Sequence, residues 1–190
     1  MPVYFYDQPE RFVAGTVGQP GDRAFFLQAR SEGRTTSVGL EKMQVSALAE
    51  RIEELLDELA KRSITGDDVP SATPEELRDD EPLDQPLLED FRVGTLALAW
   101  DPETSRVLIE AQAAGEADDE PAEPLSDDLD SERDVLRVRI TPAAARAFAE
   151  RALRVVAAGR PNCPLCGLPL DPDGHVCPRA NGYRPLTPEA

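Results

Sequence analysis

Two stretches of the chain open in the same way and continue alike. Phe12-Val-Ala-Gly15-Thr16-Val17 returns as Phe91-Arg-Val-Gly94-Thr95-Leu96, and Phe25-Phe-Leu-Gln-Ala29 corresponds to Val107-Leu-Ile-Glu-Ala111. Further on, at a constant offset of one hundred residues, Val38, Leu40, Ala47 and Ala49 face Val138, Ile140, Ala147 and Ala149. Glu50 and Arg51 likewise face Glu150 and Arg151. The pattern is a β-β-β-α unit used twice, an internal duplication. A single unit would expose the apolar face of a small sheet, so the two are expected to join. The predicted architecture is α+β: an antiparallel sheet of about six or seven strands, two helices on one face, and pseudo-twofold symmetry.

Hydrophobic period places the elements. Strands are expected at 3–6, 11–17, 24–30 and 35–40, with Gly18-Gln-Pro-Gly21-Asp as a hairpin turn. From Glu41 the period changes. Val45, Leu48, Ile52, Leu55, Leu56 and Leu59 share one helical face, and Glu50, Glu54, Asp57 and Glu58 the other, up to about residue 62. Strands follow at 91–100, 106–111 and 135–140. Thr141 is suited to cap a helix with Pro142 in its first position, and that helix is predicted over 143–158, before Gly159. Residues 1–65 thus form the first unit, 91–159 the second, and 160–190 a tail.

The net charge of −17 is unevenly placed. Residues 66–90 hold ten Asp/Glu and one Arg, and residues 114–134 hold the same numbers, which leaves the rest of the chain close to neutral. Both segments contain proline and few core-forming residues. They are expected to be mobile acidic loops that keep the protein soluble, with a docking surface for a basic partner as the sharper alternative.

The tail carries every cysteine of the chain and its only histidine, as Cys163-Pro-Leu-Cys166-Gly followed by Gly174-His175-Val-Cys177. The spacing C-x2-C-x8-H-x-C offers three thiolates and one imidazole, a full tetrahedral set for Zn2+ with no obvious open position. Thiolate ligands disfavour magnesium and calcium. A structural zinc knuckle is therefore expected from Cys163, Cys166, His175 and Cys177. A catalytic metal and a redox-active Cys163–Cys166 pair are the alternatives. With all cysteines in that cluster, no signal segment and no run long enough to span a membrane, the chain is expected to be cytoplasmic.

Three features together resemble an uncharacterised actinobacterial protein family, a domain of unknown function. They are the opening Pro9-Glu-Arg-Phe-Val-Ala-Gly-Thr-Val-Gly with Phe25-Phe-Leu-Gln-Ala, the helix start Glu41-Lys-Met-Gln-Val, and the terminal Cys-Pro-x-Cys-Gly…Gly-His-x-Cys-Pro-Arg-x-Asn-Gly-Tyr. The resemblance implies a cytoplasmic bacterial protein sharing a pathway with proteins similar to lipid kinases and histidine phosphatases. It implies no reaction for this chain.

Signals for catalysis are weak. The only histidine is committed to the metal, so no Ser-His or Cys-His pair is available, and there is no phosphate-binding G-x-x-x-x-G-K-[ST] loop. One lead comes from comparing the two units. The second helix starts Thr141-Pro-Ala-Ala, whereas the first starts Glu41-Lys42-Met43-Gln44 and is expected to lie near Gln28 and Arg30. Gln28, Lys42 and Gln44 are thus candidate ligand or partner contacts, and a pocket that also gathers Arg23 would mark an accessory enzyme or regulator in nucleotide or phosphate metabolism. Arg179, Tyr183 and Arg184 after the knuckle form a second candidate surface, for a protein or for single-stranded nucleic acid, unless Tyr183 only pins the tail. The acidic segments make nucleic acid the weaker choice. The leading reading is a non-enzymatic protein-interaction or scaffold module with a structural zinc.

Overall fold

The structure, a computed structural model, describes residues 2–62, 69–115, 132–159, 163–166, 170 and 177. Seven strands are present among them: β1 (Val3–Asp7), β2 (Arg11–Val17), β3 (Ala24–Ser31), β4 (Arg34–Leu40), β5 (Phe91–Asp101), β6 (Arg106–Ala113) and β7 (Val135–Ile140). Two helices, α1 (Lys42–Arg62) and α2 (Pro142–Ala157), follow β4 and β7, and a single 3-10 turn spans Glu75–Leu77. Both helix starts have a local cause. The Thr141 side chain accepts the Ala144 N–H at 3.1 Å, and Gln44 reaches back to accept the Glu41 N–H at 2.8 Å.

The α+β class holds, with seven strands and two helices, and the sheet is mixed. Its order is β1-β7-β6-β5-β4-β3-β2. Four neighbouring pairs are antiparallel, but β1 runs parallel to β7, and β4 runs parallel to β5 through Val38–Phe91 and Gly39–Arg92. The parallel join has a consequence for symmetry. With β4 and β5 side by side and parallel, β2, β3 and β4 run in the same directions as β5, β6 and β7. The two β-β-β-α units therefore stand in tandem along the sheet, each strand running in the same direction as its counterpart in the other unit. The long connection through α1 and residues 69–90 permits this, because it returns the chain to the end of the sheet where β4 began.

The sheet also rolls. Only residues 8–10 separate β1 from β2, its two edge strands, so their ends must approach. The Tyr6 hydroxyl lies 2.8 Å from Thr36 Oγ1 on β4, and Arg34 donates to the Phe5 carbonyl while its guanidinium sits over the Tyr6 ring.

One core fills the space between the sheet and the helices. Val45, Leu48, Ala49, Ile52 and Leu56 of α1 meet Ala145, Phe148, Ala149 and Ala152 of α2 and the inward residues of the strands. Burying a side chain such as Ile52 or Leu56 contributes about 2 kcal/mol. Alternation sends the neighbours of those strand residues to the far face, where Gln28, Ser37, Glu110, Gln112 and Arg137 are buried. There Glu110 pairs with Arg137 at 2.8 Å and accepts from Gln112 at 2.8 Å.

Residues 69–90, expected as a mobile loop, are tied to the body at several points. They form a strap that follows α2, turns round the edge strand β2 and crosses the far face of β3 and β4 to start β5. Glu150 accepts the Thr73 N–H, and Arg146 donates to the Pro70 carbonyl. At the edge, Arg151 donates to the carbonyls of Ala14, Asp79 and Glu81 and to the Asp79 carboxylate. On the far face, Leu83 is buried with Val13 and Phe26, and Asp84 exchanges two hydrogen bonds with the Gln28 side chain. Gly15 makes the approach possible: a Cβ there would stand 2.6 Å from Leu83 Cδ2. Composition did not reveal these contacts, because the carboxylates of this segment find arginines on distant elements. Of the second acidic segment, residues 116–131 lie outside the described residues.

Candidate metal centre

Three of the four expected ligands fall among the described residues, and they converge. The Sγ atoms of Cys163, Cys166 and Cys177 all lie within 4.8 Å of one another. Cys163 and Cys177 are buried, with their sulfurs 3.8 Å apart. No disulfide joins them, since that bond would need a separation of about 2 Å. Zinc–thiolate bonds of about 2.3 Å in tetrahedral directions set ligand sulfurs about 3.8 Å apart, so the spacing fits a metal.

The Cys-Pro-Leu-Cys turn shapes one side of the site. Residues 164–166 form a turn that aims the Leu165 N–H at Cys163 Sγ, 3.4 Å away. Backbone N–H groups of Cys166 and then Leu165 hold the Cys163 thiol below its ordinary range, because they stabilise the thiolate. A thiolate is the form that binds a metal. The donor set thus fits a soft or borderline cation and excludes magnesium and calcium as favoured occupants. His175, the expected fourth ligand, lies outside the described residues, as do Arg179, Tyr183 and Arg184.

The other candidate contacts are not brought together. Gln28 is buried on the far face of the sheet, where its amide holds Ser37 and the Asp84 backbone. Lys42 and Gln44 lie on the helix side. Gln44 caps α1 and donates to the Val93 and Gly94 carbonyls. Lys42 is exposed, and its Nζ approaches Gly159 just past α2, where Arg23 also donates to the Val155 carbonyl at 3.3 Å. Cations at that position complement the negative end of a helix. The sheet separates Gln28 from the rest, so no pocket gathers Arg23, Gln28, Lys42 and Gln44. Alternation along β3 could have revealed this: Gln28 lies between Leu27 and Ala29, which both face the core.

A different charged cluster escaped the sequence reading. Asp79 accepts from Arg11 Nε at 2.6 Å and Nη2 at 3.0 Å, and from Arg151 Nη1 at 2.8 Å. Asp84 joins Arg11 to Arg30, with both contacts at 3.0 Å. Hydrogen bonding to Arg11 holds the Asp79 carboxyl below the usual carboxylate range, although burial opposes this. The same contact raises Arg11, whereas burial lowers Arg151. One signal was available in the sequence. Arg146 and Arg151 interrupt the buried stripe of α2, and arginines so placed need acids or carbonyls from elsewhere.

With this geometry in hand, comparison with known proteins gives one result. A family model described as "Protein of unknown function (DUF3090)" matches residues 4–177. The chain belongs to that family. The match runs from β1 through the last cysteine, so the sheet, the strap and the cysteine cluster are all within what defines DUF3090. No curated protein and no solved structure matches the chain. No described helix is long and apolar enough to cross a membrane.

Proposed function

We propose that this chain is a non-enzymatic protein-interaction module whose C-terminal tail is folded into a recognition element by a structural zinc. The observation that carries the reading is the convergence of three thiols on one point, at a spacing that suits a metal. His175 completes the set, which closes the site against a substrate and favours a structural role over a catalytic one. Zinc stabilises such a tail because an unfolded chain does not present four ligands together. Three thiols at metal-binding distance fit a reducing compartment, the cytoplasm. The two β-β-β-α units are read as a duplication, in keeping with their identical element order.

The test is metal analysis and partner capture on one purified sample. Wild type is compared with Cys163→Ser and with a protein ending at Gly159. The expected result is one zinc per chain in wild type, with zinc and a defined partner both lost in the two variants. Zinc-free protein purified without chelator, or a partner kept by both variants, overturns the reading.

A further inference from the structure

We infer that a cavity between α2 and β2 is a socket for one large apolar side chain carried on a basic segment of a partner protein. This rests on the interaction-module reading and names a second contact surface for it, on the body and away from the cysteines. The cavity has a volume of about 130 Å³. An apolar cavity of about 150 Å³ accepts a benzene ring, so this slightly smaller one has room for a single Leu or Met side chain.

Its inner wall is apolar for a reason visible in the helix, while Glu10, Arg11, Asp79 and Arg151 line the remainder. Ala144 and Ala147 line it from α2, one turn apart, and their short side chains leave the space open. Phe12 and Phe148 form the back as a stacked pair, with centroids 4.5 Å apart and planes 9° from parallel. Leu77 closes the strap side and is itself 40% exposed, an apolar residue held at the mouth of an apolar hole.

The charge around the mouth selects the partner. Arg11 and Arg151 reach the rim, but their guanidinium groups are taken up by Asp79, Asp84 and the carbonyls of the strap. Asp80 is paired with Arg154. Glu10 lines the cavity and Glu75 and Glu76 are exposed on the strap next to Leu77, against one exposed cation of the strap among the described residues, Arg78. An apolar hole with an acidic border complements an apolar anchor flanked by Lys or Arg. A free apolar molecule would fill the hole without using the border.

The test is a selection of random twelve-residue peptides displayed on phage against the full-length protein, followed by affinity measurement on synthetic winners. The expected winners carry Leu or Met next to Lys or Arg. Ala147→Leu and, separately, Ala144→Leu fill the cavity from the helix and should each weaken binding at least about tenfold. The double variant Glu75→Lys/Glu76→Lys should weaken it and flatten its salt dependence. Thermal midpoints check that each variant folds, and the second cavity variant decides if the first does not. Winners without that pattern, or binding unchanged in the folded cavity variants, overturn the proposal, as does a cavity that binds toluene while no basic peptide competes. Cys163→Ser should keep the peptide affinity. A lost socket with metal-dependent partner capture intact therefore removes this inference alone.

Discussion

At the residue scale, Asp79 accepts three hydrogen bonds from arginine side chains. It is shared by two arginines with side-chain exposures of 9% and 8%, and it holds them against β2. Its carboxyl titrates below the ordinary range, so its contribution is fully present above the unfolded value of about 4 and is lost as pH falls through the lower folded value. Asp79→Asn leaves both guanidinium groups with a weaker acceptor. It should cost about 2 kcal/mol at neutral pH once the partial exposure of Asp79 is allowed for. Urea unfolding from pH 7 to pH 3 checks this. Wild type should lose stability steeply below about pH 4, and the variant should show a shallower slope there. Equal slopes would mean that Asp79 is not the group being protonated. Gln44 belongs to the same scale. What looked like a departure from the second helix start is the Gln44 half of a capping box, legible from the three-residue spacing between Glu41 and Gln44.

At the element scale, the strap explains why composition misled. Ten acids and four prolines in 66–90 read as solvated chain when each charge is counted alone. In the fold, Arg11, Arg30, Arg151 and Arg154 neutralise Asp79, Asp80 and Asp84, and Leu83 supplies an apolar anchor. No window of sequence contains both sides of those pairs. Leu83→Ala removes the anchor and should cost about 2–4 kcal/mol. The cost should be local before it is global. Amide exchange at Asp84 and Asp90, whose N–H groups bond Gln28 and the Ser37 carbonyl, should speed up well before that of β3 or β6. Simultaneous loss of protection across strap and sheet would show that the strap is part of the cooperative core.

At the scale of the whole molecule, the main core is built without the cysteines. None of the three cysteines belongs to the main core cluster, which is made by the strands and the two helices. A protein ending at Gly159 should therefore still unfold cooperatively, with a thermal midpoint within a few degrees of wild type. A chelator should remove the metal without unfolding the sheet. Circular dichroism during heating checks both, and a truncated chain that melts without a transition would make the tail part of the fold. Local pattern by itself determined the strands, both helices and their caps, and the gathering of the thiols, because each depends on residues close in sequence. The tertiary structure decided the parallel joins of β1 to β7 and β4 to β5, the tandem placement of the units, and the wrapping of the acidic strap. Those depend on which distant partner a strand edge, a buried guanidinium or a carboxylate meets once the sheet has rolled, and spacing along the chain carries no record of that.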